Sequence, residues 1–183
     1  MSKVILGTAM SLDGYISDPS GSVSRLYPDF EAIIASDRMQ ESIRTTGAVV
    51  MGRHTYDMAQ GDYTGYEFQT PIFVVTHHPP AQPPKGENEN LKFHFVTDGV
   101  ASAIAQAKAA AAGKNVVIVG GANLAQQVLE AGLADELEID IVPVLLGGGL
   151  RFFEKLDDAV ELEQTELSEA AGIISLRLRV LKN

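Results

Sequence analysis

Cysteine does not occur in this chain. Its absence removes disulfides, thiolate metal sites and cysteine nucleophiles together, and it fits a cytoplasmic protein. Basic residues are scarce as well: 14 Lys and Arg stand against 24 Asp and Glu, a formal charge of −10. A nucleic-acid partner would want a basic face, and no stretch supplies one. No apolar run is long enough to span a bilayer, which argues against a membrane partner. The chain enters an apolar strand at once, with only Lys3 basic and no cleavage-site pattern, so no signal peptide is expected. The histidine pair His77-His78 has no carboxylate or thiol company, and no metal site is expected there.

What remains is an ordinary globular composition, 45% hydrophobic and 21% charged. At 183 residues it suits a single domain, 1–183, with a core of useful size. The informative stretch is Val116-Val117-Ile118-Val119-Gly120-Gly121-Ala122-Asn123-Leu124. Four apolar, mostly β-branched residues read as a strand buried on both faces. The strand runs into two glycines, and a helical pattern follows through Leu124, Val128 and Leu129. Such a junction brings bare backbone N–H groups and the positive end of a helix dipole to one spot, which suits a phosphate. The alternative reading is a tight strand-to-helix turn. A second junction of this kind is Gly52-Arg53-His54-Thr55, after the apolar run 48–51. A third strand, 71–76, ends at Thr76-His77-His78.

Other elements fill in the fold. A helix is expected from Asp29, its N-cap, through Phe30, Ile33, Ile34, Met39 and Ile43, with Gly47 as its stop. Thr97-Asp98 is expected to cap an alanine-rich helix over 99–112. The tail reads as a hairpin turning at 168–172, one face apolar and the other setting glutamates opposite arginines. Strands alternating with helices imply an α/β fold. We expect about eight strands in a mostly parallel sheet, with an antiparallel C-terminal hairpin and about four helices on both faces. A homodimer through that hairpin or an edge strand is a further expectation.

Ligands of open parallel sheets sit outside the carboxyl ends of the strands. The three junctions together resemble the nicotinamide-dinucleotide site of the dihydrofolate-reductase-like fold, where Gly-Arg-x-Thr and Gly-Gly open two helices. The match is closer to the reductase domain of the bifunctional riboflavin-pathway deaminase–reductases. Ser11-Leu12-Asp13-Gly14-Tyr15-Ile16 resembles that family's first strand and loop. Gly132-Leu133-Ala134-Asp135-Glu136-Leu137 and Pro143-Val144-Leu145-Leu146-Gly147 resemble two later segments. The zinc-binding deaminase half has no counterpart here.

The resemblance implies a reductase that binds NADPH and passes hydride to a small heterocyclic substrate, as the 5-amino-6-(5-phosphoribosylamino)uracil reductases do. It implies phosphate contacts from Gly52, Arg53, His54 and Thr55, and a 2′-phosphate reader at Thr76, His77 and His78. It also implies a pyrophosphate wrap by Gly120, Gly121, Ala122 and Asn123, and backbone contacts to the nicotinamide at Ala9 and Ile16. Asp13 is the nearest thing to a catalytic acid; read locally, its Asp-Gly pair is a turn. A phosphoribosyl substrate would want cations near the mouth, and residues 11–44 offer Arg25, Arg38 and Arg44. Two other readings are a non-catalytic dinucleotide-binding module and a pterin reductase. A classical Rossmann dehydrogenase would need Gly-x-Gly-x-x-Gly after a strand, which is missing.

Overall fold

The computed structural model describes residues 2–154, 156, 158–170 and 172–182. Strand β1 (Val4–Ser11) lies inside an eight-stranded sheet. It pairs in parallel with β6 (Asn115–Val119) on one side and β7 (Glu136–Val142) on the other. Beyond β6 come β3 (Thr46–Gly52), β4 (Ile72–Val75) and β5 (Phe93–Val96), all parallel. Beyond β7 the chain adds β10 (Ile173–Val180) and the edge strand β9 (Leu162–Ala170), both antiparallel to their neighbours. The hairpin therefore sits where the alternating pattern put it. Its polar face carries the expected pairs, Arg177–Glu166 at 3.0 Å and Arg179–Glu163 at 2.9 Å. Strand β9 runs to Ala170, so the turn begins later than residue 168.

Helices cover both faces. On one, α4 (Val100–Ala110) buries Val100, Ala103, Ile104 and Ala107, and α5 (Ala122–Glu130) buries Leu124, Ala125, Val128 and Leu129. The i, i+3, i+4, i+7 spacing of the first and the i, i+1, i+4, i+5 spacing of the second lay one stripe of each helix on the sheet beside Leu6, Val50 and Ile118. A fully buried side chain of this size contributes roughly 1.5–3 kcal/mol. On the other face an aromatic cluster forms under α3 (Arg53–Met58). Tyr56 stacks on Tyr63 at 5.6 Å and meets Phe95 edge-on at 5.4 Å. The cluster pins the helix that begins at the Gly52 strand end.

Three expectations need correction. The helix expected from Asp29 is two helices, α1 (Phe30–Ala35) and α2 (Asp37–Thr45), so the about four helices expected are five among the described residues. Asp29 does cap the first, its Oδ1 accepting from Ala32 N at 3.0 Å. Ser36 breaks the pair: its backbone is extended (ψ 144°) and its Oγ accepts from Met39 N, starting a new helix. Gly47 is no helix stop; it lies inside β3, at a register shift between Thr46 and Ala48. Thr97 and Asp98 do not cap α4, whose N-cap is Gly99 with no side-chain bond. The loops also hold structure that the sequence left blank. Ser24–Leu26 forms a 3-10 turn (η1) that buries Leu26, and a ribbon of β2 (Tyr15–Ser17) and β8 (Leu150–Arg151) forms beside the main sheet. No helix among the described residues is long and apolar enough to cross a membrane.

Candidate cofactor site

Strands β4, β3, β6 and β1 are consecutive neighbours and run the same way, so their carboxyl ends form one row. Thr76, Gly52 and Gly120 follow the last residues of β4, β3 and β6, or close them, and β1 adds Ala9 at the end of the row. The three junctions singled out in the sequence thus lie side by side on one edge.

Gly120 (φ +68°) and Gly121 (φ +79°) both occupy the left-handed region, where a side chain is strained. They are also packed: a Cβ on Gly120 would stand 2.8 Å from Thr55 Oγ1, so the first turn of α3 presses against this loop. Gly121 caps α5 without any side-chain hydrogen bond, and the first amides of that nine-residue helix have no side-chain acceptor from the cap. Ala122 is buried, while Asn123 is exposed with Oδ1 accepting from Gln127 Nε2 at 2.6 Å. A bare-backbone cradle with a threonine hydroxyl at its rim fits a pyrophosphate.

Arg53 and the 76–78 loop form a second cluster. The Arg53 Nε donates to Asp57 Oδ1 at 2.8 Å, and its Nη1 donates to the His78 carbonyl. This tethers the start of α3 to the end of β4. The exposed Arg53–Asp57 pair is worth at most about 1 kcal/mol, so a phosphate can compete with Asp57 for the guanidinium. Thr76 is buried, and its hydroxyl donates to the His78 carbonyl at 3.0 Å and accepts from His78 N at 3.2 Å. That hydroxyl, expected to read a 2′-phosphate, is engaged inside its own loop. His54, His77 and His78 are exposed. Ala9 and Ile16 are buried in different apolar clusters, so what they can offer a shared ligand is backbone.

Asp13 accepts from Ser11 Oγ at 2.6 Å, from Gly147 N at 2.8 Å and from Leu146 N at 3.1 Å. The Ser11 hydroxyl first, with the two amides, holds its carboxyl at about 2 against an ordinary 3.8. A carboxylate held this way ties the loop after β1 to the loop after β7, and at neutral pH it has no proton to give. Because the folded value is depressed, its stabilisation is complete above the ordinary value and fades as pH falls from about 4 to about 2. The melting-temperature deficit of Asp13→Asn is therefore expected to stay constant between about pH 7 and pH 5 and to shrink below about pH 4. A deficit that vanishes near neutrality would show that Asp13 titrates there after all.

Sequence reading missed a brace next to this clamp. The Arg151 guanidinium lies 4.6 Å from the Tyr15 ring centroid, and Nη2 donates to the Tyr15 hydroxyl at 3.1 Å. The partners are 136 residues apart, so no local pattern announces them. Of the three cations near the expected mouth, Arg38 is bound by Asp140 at 2.9 Å. Arg44 lines a cleft of about 490 Å³ at the opposite end of the strands, beside Thr46 and Pro71. A second cleft, about 410 Å³, is lined by Met51, Thr55, Met58, Tyr63 and Tyr66 on the aromatic face.

Known proteins share the fold of this chain. The uncharacterized protein YwjB of Bacillus subtilis is 29% identical over 161 residues, 87% of each chain. A crystal structure from Shewanella sp. PV-4 superposes with a TM-score of 0.80 at 24% identity, covering 98% of this chain and 99% of the other. Dihydrofolate reductase from Enterococcus faecalis, complexed with NADP(H), gives 0.65 at 16% identity, covering 98% and 97%. The fold is dihydrofolate-reductase-like. The family model of the RibD C-terminal domain matches residues 2–174, and the chain belongs to that family.

Proposed function

We propose that this protein is an NADPH-dependent reductase that passes hydride to a C=N or C=O group of a small heterocycle. The observation that carries the reading is the row of strand ends, with two left-handed glycines packed on Thr55 before a helix lacking a side-chain cap. Family membership supports reductase chemistry, and the Enterococcus relative by fold holds NADP(H). NADPH supplies the hydride when bound. The chain's own residues grip and orient: Gly120, Gly121 and the amides of Ala122 and Asn123 take the pyrophosphate, and Arg53 and Thr55 take phosphate oxygens. Ala9 and Ile16 hold the nicotinamide through backbone groups. Orientation of two reactants in one site then contributes much of the rate. Asp13 acts as a positioning residue, since it fixes the β1–β2 loop beside Ala9 and carries no proton to donate.

Fluorescence titration with NADPH and NADH tests this. Arg53→Ala is expected to weaken NADPH about tenfold and NADH less, as loss of a charge-assisted hydrogen bond to the 2′-phosphate would. Equal losses would move Arg53 to the pyrophosphate, and failure of the unaltered protein to bind NADPH would end the assignment. A second reading, a non-catalytic dinucleotide-binding module, draws on the commitment of Asp13 to its clamp. Consumption of NADPH with pterin or aminopyrimidine substrates, followed by the loss of reduced-nicotinamide absorbance, separates the two.

A further inference from the structure

The cleft at the amino ends of the strands has no part in the reductase reading. It opens where α2 ends, β3 begins and α4 ends, with the chain leading into β4 along one side. Its volume of about 490 Å³ lies within the range of small-molecule sites, roughly 300–1,000 Å³. Ile43, Phe68 and Pro71 give it an apolar wall. Three charged residues also line it: Arg44, Lys114 and Glu67. None of the three has an oppositely charged partner among the described residues. Lys114 Nζ donates to the Arg44 carbonyl at 3.1 Å, which uses one of its three hydrogens and brings the two cationic residues together. Glu67 is half-buried, and burial raises its carboxyl above the ordinary value with no cation to lower it.

Helix capping accounts for part of this. Arg44 stands in the last turn of α2, and Lys114 reaches a carbonyl of the same turn, both favourable places for a cation. Glu67 is left over. It belongs to no helix, and the carbonyl ends of α2 and α4 disfavour a further negative charge in the same cleft. A carboxylate withdrawn from water without a counter-charge is costly, so it favours a ligand that brings one. Two cations here face one carboxylate and two helix ends, each end carrying roughly half a negative charge. The cleft is close to neutral as a whole and strongly polar inside. That balance suits a ligand with one charge of each sign and disfavours a phosphate dianion.

We propose that this cleft binds a small zwitterion, with its carboxylate on Arg44 and Lys114, its ammonium on Glu67 and its apolar chain along Ile43 and Phe68. The site is separate from the row of strand ends, and it stands whether or not the protein is a reductase.

The test is calorimetric titration of the full chain at low salt with 4-aminobutanoate, 5-aminopentanoate and 6-aminohexanoate, which set the two charges at increasing separations. Hexanoate and hexylamine, with one charge each, are the comparison. At least one zwitterion should saturate the protein and bind about tenfold or more tighter than either single-charge compound. Glu67→Gln should weaken that zwitterion to the level of hexanoate, and Arg44→Gln and Lys114→Gln should each weaken it about tenfold. Lys108→Gln removes an exposed cation of α4 outside the cleft and should change nothing. Arg44 and Lys114 are exposed, so their variants should fold. Glu67→Gln should melt no lower at neutral pH, because it removes an unpaired charge. Saturating NADPH should leave the zwitterion bound; displacement would put it at the strand ends and overturn the location. No saturable binding by any zwitterion, equal binding of hexanoate or hexylamine, or unaltered affinity in Glu67→Gln overturns the proposal itself.

Discussion

Gly121→Val is expected to abolish NADPH binding in a protein that still folds. Gly121 has φ +79° and follows Gly120 at φ +68°, so a branched side chain is strained there whatever room it finds. A residue forced into that region costs on the order of 1–3 kcal/mol, a fraction of the roughly 5–15 kcal/mol that holds a domain folded. The loss of binding has a different origin. The first amides of α5 serve an anion only if it can approach the bare backbone, and valine puts three carbons over that approach. Circular dichroism should show a native spectrum with a lowered melting temperature, while NADPH titration shows no saturable binding. A folded variant with unchanged affinity would remove the dinucleotide assignment.

Gly47→Ala should do the reverse: destabilise the fold by about 3 kcal/mol, as overpacking does, and leave NADPH affinity intact. A methyl at this position would collide with the Ala111 carbonyl oxygen and stand 2.8 Å from both Ala111 Cα and Lys114 Cβ. Two of those atoms are backbone and cannot swing aside, so the C-terminal end of α4 must lift from β3. Ala103, Ala107 and Ala111, all buried, let that helix sit close in the first place. Urea unfolding gives the measurement, and a change below about 0.5 kcal/mol would mean that the helix end yields freely. The two glycine variants together separate binding from stability, because Gly47 and Gly121 lie at opposite ends of the parallel strands.

Gly47 also shows where sequence reading stops. A glycine after a helical pattern is a reasonable helix stop by local rules, but here the residue is set by the end of a helix at Ala111, more than 60 positions later in the chain. Ser36 misled in another way: apolar residues at 33, 34, 39 and 43 keep a helical period across it, and the period hides a serine that caps a fresh helix. The two strand–glycine–helix junctions, at Gly52 and at Gly120-Gly121, were legible because strand, glycine and helix start are consecutive in the chain. That they lie in one row followed from parallel pairing, which alternating elements imply. Asp13 was legible as a turn residue and not as a clamp, since Leu146 and Gly147 are 133 and 134 residues away. The Arg38–Asp140 contact, 102 residues apart, left no local trace either.

The pairing of β1 has a consequence for synthesis. Its two partners, β6 and β7, begin at residues 115 and 136, so the strand made first has no neighbour until most of the chain has been translated. At about 5–20 residues per second the ribosome leaves this apolar segment unpaired for several seconds. The nascent chain must be shielded for that interval, and the middle of the sheet cannot close before β6 has been made.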